Sequence, residues 1–131
     1  MKISKKSQYG LRALVLLART DKEYLSLRMI SEKEKISFDY LEKIFSKLEK
    51  EKIVKSKKGV QGGYTLSRNS KKITVGEILR SLEGEITLVE CIGSKGKCTN
   101  KKTCRTINVW RKLQDSLEKT INSITLEKLA K

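Results

Sequence analysis

The sequence predicts a mostly α-helical fold with a small β wing: a winged helix-turn-helix domain followed by a long C-terminal dimerisation helix. Over residues 37–50, apolar side chains recur at helical spacing and form one stripe. These side chains are Leu41, Ile44, Phe45 and Leu48. A shorter helical pattern precedes the stretch, after which residues 36–37 make a tight corner, and two β-type runs around glycines 59, 62 and 63 follow it. Helix, turn, helix and hairpin is the order of a winged helix-turn-helix.

Each predicted helix of this domain begins at a residue type that is common at helix N-termini. Ser7 is predicted to cap the first helix, Ser26 the second, and Ser37 the helix with the apolar stripe. Thr74 and Glu77 have the spacing of a capping box, which predicts a further helix closing the winged domain.

The composition changes beyond residue 84. From Cys91 to Cys104 the chain is rich in lysine and glycine and has almost no apolar residue with which to build a core. After it, apolar residues at spacings of three and four predict a helix of roughly nineteen residues, ~28 Å long at 1.5 Å per residue. They are Ile107, Trp110, Leu113, Leu117, Ile121 and Ile124.

A stripe of that length finds little core within one small chain, so we expect it to pair with its copy in a homodimer. The sequence therefore predicts a winged domain at 1–84, a cysteine-bearing loop at 85–104, and a dimerisation helix with a C-terminal turn at 105–131.

The charge of the chain indicates a polyanionic partner. In 131 residues, 30 Lys and Arg stand against 15 Asp and Glu, a formal net charge of +15. Nucleic acid is the first candidate partner and an anionic membrane surface the second. Because no run of eighteen apolar residues exists and the N-terminus lacks a cleavage signal, we expect a soluble, cytoplasmic protein with no membrane partner.

The lysines cluster where a DNA duplex would lie on a winged helix-turn-helix. A charge run alone is as consistent with a solvated face, but these lysines follow one exposed helical face and the adjoining wing. Short or planar polar groups near the start of the helix are suited to base edges, although capping and surface exposure also explain Ser37 and Asp39. The candidate DNA-binding residues are Ser37, Asp39, Tyr40, Glu42, Lys43, Lys47, Lys57, Lys58 and Gln61.

No enzymatic signature is visible. The wing glycines lack the Gly-Lys-Ser/Thr of a phosphate-binding loop, and they lie between two strands, which favours a hairpin turn. The chain has no histidine to act as a base for a catalytic cysteine. We therefore expect that the protein is not an enzyme.

The three cysteines, Cys91, Cys98 and Cys104, are candidate metal ligands. Three soft ligands within fourteen residues suit an iron-sulfur cluster or a thiophilic ion. A structural zinc site fits less well, because neither Cys-x-x-Cys pairs nor a histidine is present. Two alternatives stay open: a disulfide that leaves a reactive third cysteine, and redox sensing by bare thiols whose pKa the surrounding lysines lower.

Taken together, the residues resemble the Rrf-two family of bacterial transcription regulators, in particular its IscR-like and NsrR-like members. The resemblance covers nearly the whole chain. It is carried by MKISKKSQYGLRAL, ISFDYLEKIFSKLEKEKIVKSKKGVQGGYTLSR, ITVGEILRSLEG, the three cysteines before the helix with Trp110, and TLEKLA.

The resemblance implies a homodimer with two winged domains, crossed long helices and an iron-sulfur cluster held by Cys91, Cys98 and Cys104. It also implies that the start of the predicted helix at residues 37–50 reads the operator, and that Lys58 takes the place of an arginine that enters the minor groove. The residues that match the family's recognition-helix contacts are Ser37, Asp39, Tyr40, Glu42 and Lys43.

Two departures leave the fourth ligand and the cluster type, two-iron or four-iron, open. Ile107 stands where IscR-like members have a histidine, and Gln8 stands where NsrR-like members have an aspartate. The remaining candidates for the fourth position are Asn108, Glu90, Glu85, Gln8 of either chain, a water or a small thiol.

The predicted function is that of a homodimeric, DNA-binding transcriptional regulator, a repressor, whose operator affinity depends on an iron-sulfur cluster. The signal would be iron-sulfur supply, redox state or nitric oxide. The alternatives are a cluster-free thiol-sensing regulator and a scaffold that uses the same domain to bind a protein partner.

Overall fold

The computed structural model describes residues 2–93 and 104–131, and within them it confirms the predicted fold class. The helices are α1 (Lys5–Arg19), α2 (Leu27–Glu34), α3 (Phe38–Lys50), α4 (Val75–Glu83), α5 (Ile107–Ser123) and α6 (Leu126–Ala130). The strands are β1 (Val54–Lys57) and β2 (Gly63–Leu66), and short 3-10 turns occupy Ser70–Lys72 and Glu90–Ile92.

The helix-turn-helix consists of α2, a link of residues 35–37, and α3. Lys35 ends α2 in the left-handed conformation (φ 56°), which reverses the chain sharply, and Ser37 then caps α3 by accepting from the backbone N–H of Tyr40. Ser26 caps α2 in the same way, as predicted. The predicted stripe of α3 is fully buried, at 0% exposure for Leu41, Ile44, Phe45 and Leu48.

The wing is the predicted hairpin. β1 and β2 pair antiparallel, with Val54 opposite Leu66 and Lys57 opposite Gly63. An isolated antiparallel bridge between Leu25 and Tyr64 joins the wing to the segment before α2. Gly59 has a φ of 115°, a conformation that side chains disfavour, and this explains a glycine at the turn.

The predicted cap of α1 is wrong by three residues. Ser4 is the N-cap and accepts from the backbone N–H of Ser7, whereas Ser7 is fully buried inside the first turn. The Ser7 hydroxyl instead donates to Glu83 at the end of α4, 2.6 Å away. Contact with a distant helix, which the local pattern does not contain, decides the role of this serine.

Two apolar clusters hold the elements together. The main one joins α1, α2, α3, β1, α4 and α6, and the second joins α4, residue Ile86 and α5 through Val75, Leu79 and Ile121. The predicted C-terminal turn is α6, and its Leu126 lies fully buried in the main cluster. Part of the apolar stripe of α5 is therefore covered by its own chain, while Val109 and Leu113 are 52% and 49% exposed.

In the part of the chain that the structure describes, no helix is both long enough and apolar enough to span a bilayer.

Candidate nucleic-acid interface and cysteine site

The structure brings the candidate residues of α3 together on the face opposite the core. Asp39, Glu42, Lys43 and Lys47 are all exposed, because the helix turns every buried residue of its stripe inward. Asp39, Glu42 and Lys43 line one shallow hollow together with Ser46. This face combines hydrogen-bonding groups at its N-terminal end with lysines farther along.

Tyr40 differs from its neighbours because its ring is packed. Its ring lies edge-on to Tyr9 of α1, with the ring centroids 5.5 Å apart. The Tyr9 ring in turn has the Arg12 guanidinium 5.7 Å and the Lys5 ammonium 5.9 Å from its centroid. Tyr40 is thus held in place by α1, while Ser37 has the capping role described above.

The candidate residues of the wing are exposed beside this face. Lys57, Lys58 and Gln61 lie on or next to the turn of the hairpin, and the Lys57 ammonium is 5.6 Å from the centre of the Tyr24 ring. Ser56 donates to Glu49 at 2.5 Å, which ties the wing to the last turn of α3.

The positive charge of the face and wing is not neutralised by ion pairs with the residues that the structure describes. The salt bridges there join Arg12 to Glu34, Arg68 to Glu77, and Lys71 to Glu127. Lys43, Lys47, Lys57 and Lys58 take part in none of them. A basic surface therefore surrounds the exposed face of α3 and is suited to a phosphate backbone.

Two of the three candidate metal ligands, Cys91 and Cys104, are among the described residues. Cys91 is in the 3-10 turn Glu90–Ile92, which packs on α5, and Cys104 lies just before α5 begins. Both are half-buried. Cys98 falls outside the described residues, and within residues 2–93 and 104–131 no three His, Cys, Asp or Glu side chains are grouped as metal ligands.

The Cys104 sulfur lies at the N-terminus of α5. Its Sγ is 3.3 Å from Oγ1 of Thr106, so this hydroxyl is directed at the sulfur and makes no cap bond to α5. The Thr106 hydroxyl, together with backbone N–H groups of Thr106 and Ile107, holds the pKa of the Cys104 thiol below its usual range. Hydrogen bonds and a helix N-terminus favour the thiolate, which is the form that reacts and binds metal.

The chemistry of these donors fits an iron-sulfur cluster or a thiophilic ion. A thiolate is the ligand that such groups take, and Cys104 is already biased towards that form. Ile107 has no donor atom and is 5% exposed, so it serves the packing of α5. The exposed Gln8 amide donates to the carbonyl of Ile3 at 2.9 Å.

Three residues that the sequence analysis missed make hydrogen bonds near the described ends of the cysteine-bearing loop. Gln114 of α5 bonds the backbone of Ile86 and Leu88, Thr106 bonds Cys104, and Glu83 accepts from Ser4 and Ser7. The hydrogen bonds from Ser4 and Ser7 hold the pKa of the Glu83 carboxyl below its usual range. Only Gln114 could have been noticed in the sequence. It is a polar residue midway between Ile107 and Ile121, where the apolar stripe of α5 would have an aliphatic residue.

Comparison with known proteins shows what the chain is similar to. Residues 3–131 match the model of the Rrf2 (Rrf-two) family, described as iron-dependent transcriptional regulators. The chain is 35% identical over 130 residues to the HTH-type transcriptional regulator IscR of Escherichia coli, an alignment that covers 98% of this chain and 80% of that protein.

Solved structures give the same result. The structure of CymR, titled the global cysteine regulator of B. subtilis, superposes with a TM-score of 0.84 at 34% identity and covers 99% of this chain and 96% of that one. T. potens IscR superposes with a TM-score of 0.78 at 36% identity and covers 98% and 86%.

The family match spans nearly the whole chain, and the helix-turn-helix with its wing is the architecture that DNA-binding regulators use. The chain belongs to the Rrf2 family and is a DNA-binding transcriptional regulator, not an enzyme.

Proposed function

We propose that the protein is a cytoplasmic homodimeric repressor whose affinity for operator DNA depends on an iron-sulfur cluster bound by Cys91, Cys98 and Cys104. The division into a winged domain (1–84), a cysteine-bearing loop (85–104) and a dimerisation region (105–131) belongs to the same proposal. The similarity to IscR proteins and the donor chemistry of the loop support it.

The observation that carries the proposal is the position of Cys104. Its sulfur forms hydrogen bonds with Thr106, the N-cap of α5, and with the backbone N–H of Ile107, and these bonds favour the thiolate. A ligand bound to this sulfur would therefore act directly on the start of α5. A bound cluster supplies a group whose ligation and charge respond to oxygen, nitric oxide and iron supply. A change at the sulfur therefore reaches the helix that we assign to dimerisation.

The DNA would be read by α3 and the wing of each protomer. Asp39, Tyr40, Glu42 and Lys43 would contact base edges in the major groove, and Ser37, the N-cap, would fix the start of the helix. Lys47, Lys57, Lys58 and Gln61 would contact the adjoining backbone and minor groove, and their exposure supports this role. In a two-fold dimer the two α3 helices must match half-sites about one helical turn, ~34 Å, apart.

Exposed apolar side chains on α5 support the dimer. Val109 and Leu113 are 52% and 49% exposed on one side of the helix, while Ile107 and Ile121 on another side are buried within the chain. Large exposed apolar side chains at helical spacing suit a paired helix. Because α5 also contacts α4 and the cysteine-bearing loop, its pairing geometry sets the separation of the two reading helices.

The test uses full-length protein purified without air. Its visible absorption spectrum, iron content and acid-labile sulfide are measured first, and its affinity for the DNA upstream of its own gene is then compared before and after removal of the iron. The proposal expects a coloured protein whose dissociation constant changes when the iron is removed. Equal affinity in the two states would exclude regulation by the cluster.

A cluster-free thiol-sensing regulator is the second candidate. It is supported by the similarity to CymR, described as a global cysteine regulator, and by the hydrogen bonds that lower the pKa of the Cys104 thiol. It expects a colourless protein without iron or sulfide, whose DNA affinity changes when the thiols are oxidised and recovers on reduction. The same preparation therefore separates the two candidates.

A further inference from the structure

One buried side chain connects the cysteine-bearing loop to α5. Gln114 is 8% exposed, and its Nε2 donates to the carbonyl of Ile86 at 2.6 Å. Its Oε1 accepts from the backbone N–H of Leu88 at 2.9 Å. The amide thus bonds both a carbonyl and an N–H of the segment that leads to Cys91.

The three bonds of this amide define its orientation. Besides the two backbone partners, Nε2 also donates to Oε1 of Glu118, one turn farther along α5, at 3.1 Å. A carbonyl on one side and an N–H on the other permit only one assignment of the amide oxygen and nitrogen. A buried amide is favourable only when it is bonded in this way.

Packing alone would favour a different residue at this position. Ile107 and Ile121 lie seven residues before and after Gln114 and are buried at 5% and 7% exposure. A third aliphatic residue would continue that stripe, but it would leave the groups of Ile86 and Leu88 without these partners. The hydrogen bonds of the glutamine fix the positions of these backbone groups relative to α5, which an aliphatic contact would not do because it has no preferred direction.

The link lies on the path from the winged domain to Cys91. The segment starts at Glu83, whose carboxylate accepts from the backbone N–H of Ser4 at 3.0 Å and from the Ser7 hydroxyl at 2.6 Å. It reaches Gln114 at Leu88, three positions before Cys91. A displacement of Cys91 that carries Leu88 with it therefore either breaks the Gln114 bonds or moves α5.

We propose that Gln114 is the positioning residue that transmits the state of the cysteines to α5, and through α5 to the separation of the two α3 helices. The inference rests on the proposed function and names its coupling residue. Without the amide, a change at Cys91 no longer reaches α5 through this link, so the DNA affinity follows the state of the cysteines less closely and only the route through Cys104 remains.

The first measurement examines the link itself. Gln114→Met keeps the length of the side chain and removes both backbone bonds, and Lys112→Met makes a similar change at an exposed position of the same helix. Hydrogen exchange of the amide of Leu88 should become about tenfold faster in the first variant, as expected for the loss of one protecting bond, and stay unchanged in the control. Unchanged exchange at Leu88 in Gln114→Met would overturn the proposed link.

The second measurement examines transmission. The dissociation constant for the upstream DNA is determined with cluster-loaded and iron-free protein, or with oxidised and reduced protein if the wild type holds no iron. The ratio of the two constants should move clearly towards one in Gln114→Met and keep the wild-type value in Lys112→Met. A purely structural role would weaken binding in both states and leave the ratio unchanged, which would overturn the inference and spare the proposed function.

A wild-type ratio of one in both comparisons would overturn the proposed switch and the inference together. If Gln114→Met does not fold, Gln114→Glu serves in the same experiment, because it retains the acceptor for Leu88 and loses the donor to Ile86. Its ratio should lie between one and the wild-type value. A ratio equal to that of the wild type would count against the inference.

Discussion

At the scale of single residues, the site depends on hydrogen bonds that local sequence patterns do not reveal. Thr106 has the position of an N-cap, yet its hydroxyl is directed at the Cys104 sulfur. Ser7 has the sequence context of a cap and instead bonds Glu83, which is 76 positions away. In both cases a side chain with one hydroxyl has several possible partners, and the tertiary fold decides which one it meets.

Replacing Thr106 by valine should raise the pKa of the Cys104 thiol, because the hydroxyl is its main stabilising partner. In the wild type the thiolate of Cys104 therefore forms at a lower pH than that of an unperturbed thiol. The pH midpoint for alkylation of Cys104 by iodoacetamide, followed by mass spectrometry on metal-free reduced protein, should move upwards in Thr106→Val. Thr120→Val, which removes a hydroxyl elsewhere on α5, should leave the midpoint in place.

Replacing Glu83 by glutamine should lower the melting temperature at neutral pH. Its carboxylate accepts from Ser4 and Ser7, and these bonds depress its pKa in the folded state below the unfolded value of about 4.3. The stabilisation is therefore complete above that value and is lost as the pH falls through the folded pKa. The difference in melting temperature between wild type and Glu83→Gln should be present at pH 7 and shrink below pH 4, at one protein concentration.

The matched control for this measurement is Glu32→Gln, a change at an exposed position of α2. Its melting temperature should follow that of the wild type at both pH values. A Glu83→Gln difference that is constant with pH would mean that the ionised carboxylate does not stabilise the contact between α1 and α4.

At the scale of elements, α3 and the wing act together because Ser56 and the Leu25–Tyr64 bridge fix their relative position. Replacing Lys58 by alanine should weaken binding to the upstream DNA. If the ammonium of each protomer meets a phosphate, the slope of log K against log salt should become shallower by about two units for the dimer, about one for each lysine. Fluorescence anisotropy at several salt concentrations measures both effects.

Lys119→Ala is the control for charge, since it removes an exposed lysine from α5 without touching the wing. Its salt slope should equal that of the wild type. A slope that changes equally in both variants would show that the effect comes from net charge and not from a contact at the wing.

At the scale of the whole molecule, we propose two roles for α5, because one of its sides is buried by its own chain and another is exposed. Ile107, Gln114 and Ile121 face the chain itself, and Leu113 is 49% exposed on another side. Leu113→Asp should therefore separate the dimer, since a carboxylate is costly in an apolar interface. Light scattering after size exclusion should change from twice the 15.0 kDa chain mass to that mass itself.

The exposed neighbour Lys112→Asp places the same carboxylate next to Leu113 on a side of α5 that we expect to remain outside the interface. It should remain dimeric. A wild-type protein that is already monomeric would contradict the proposed pairing of α5. The proposed reading of two half-sites by one dimer would then also be contradicted.

The sequence by itself determined the helices, the turn, the hairpin and the basic surface of this protein, because these follow from short-range signals. Apolar spacing defines the inner face of α3, glycines mark the wing, and Ser26, Ser37 and Thr74 cap helices as predicted. The family could also be identified, since its motifs are contiguous in the chain.

Only the tertiary structure decided how the cysteine-bearing loop is connected to the rest. Gln114 meets Ile86 and Leu88 from 28 and 26 positions away, and Glu83 meets Ser4 from 79 positions away. No local period encodes such pairs, because they depend on how α1, α4 and α5 pack. The parts that we propose to transmit a signal are therefore those that the sequence left undetermined.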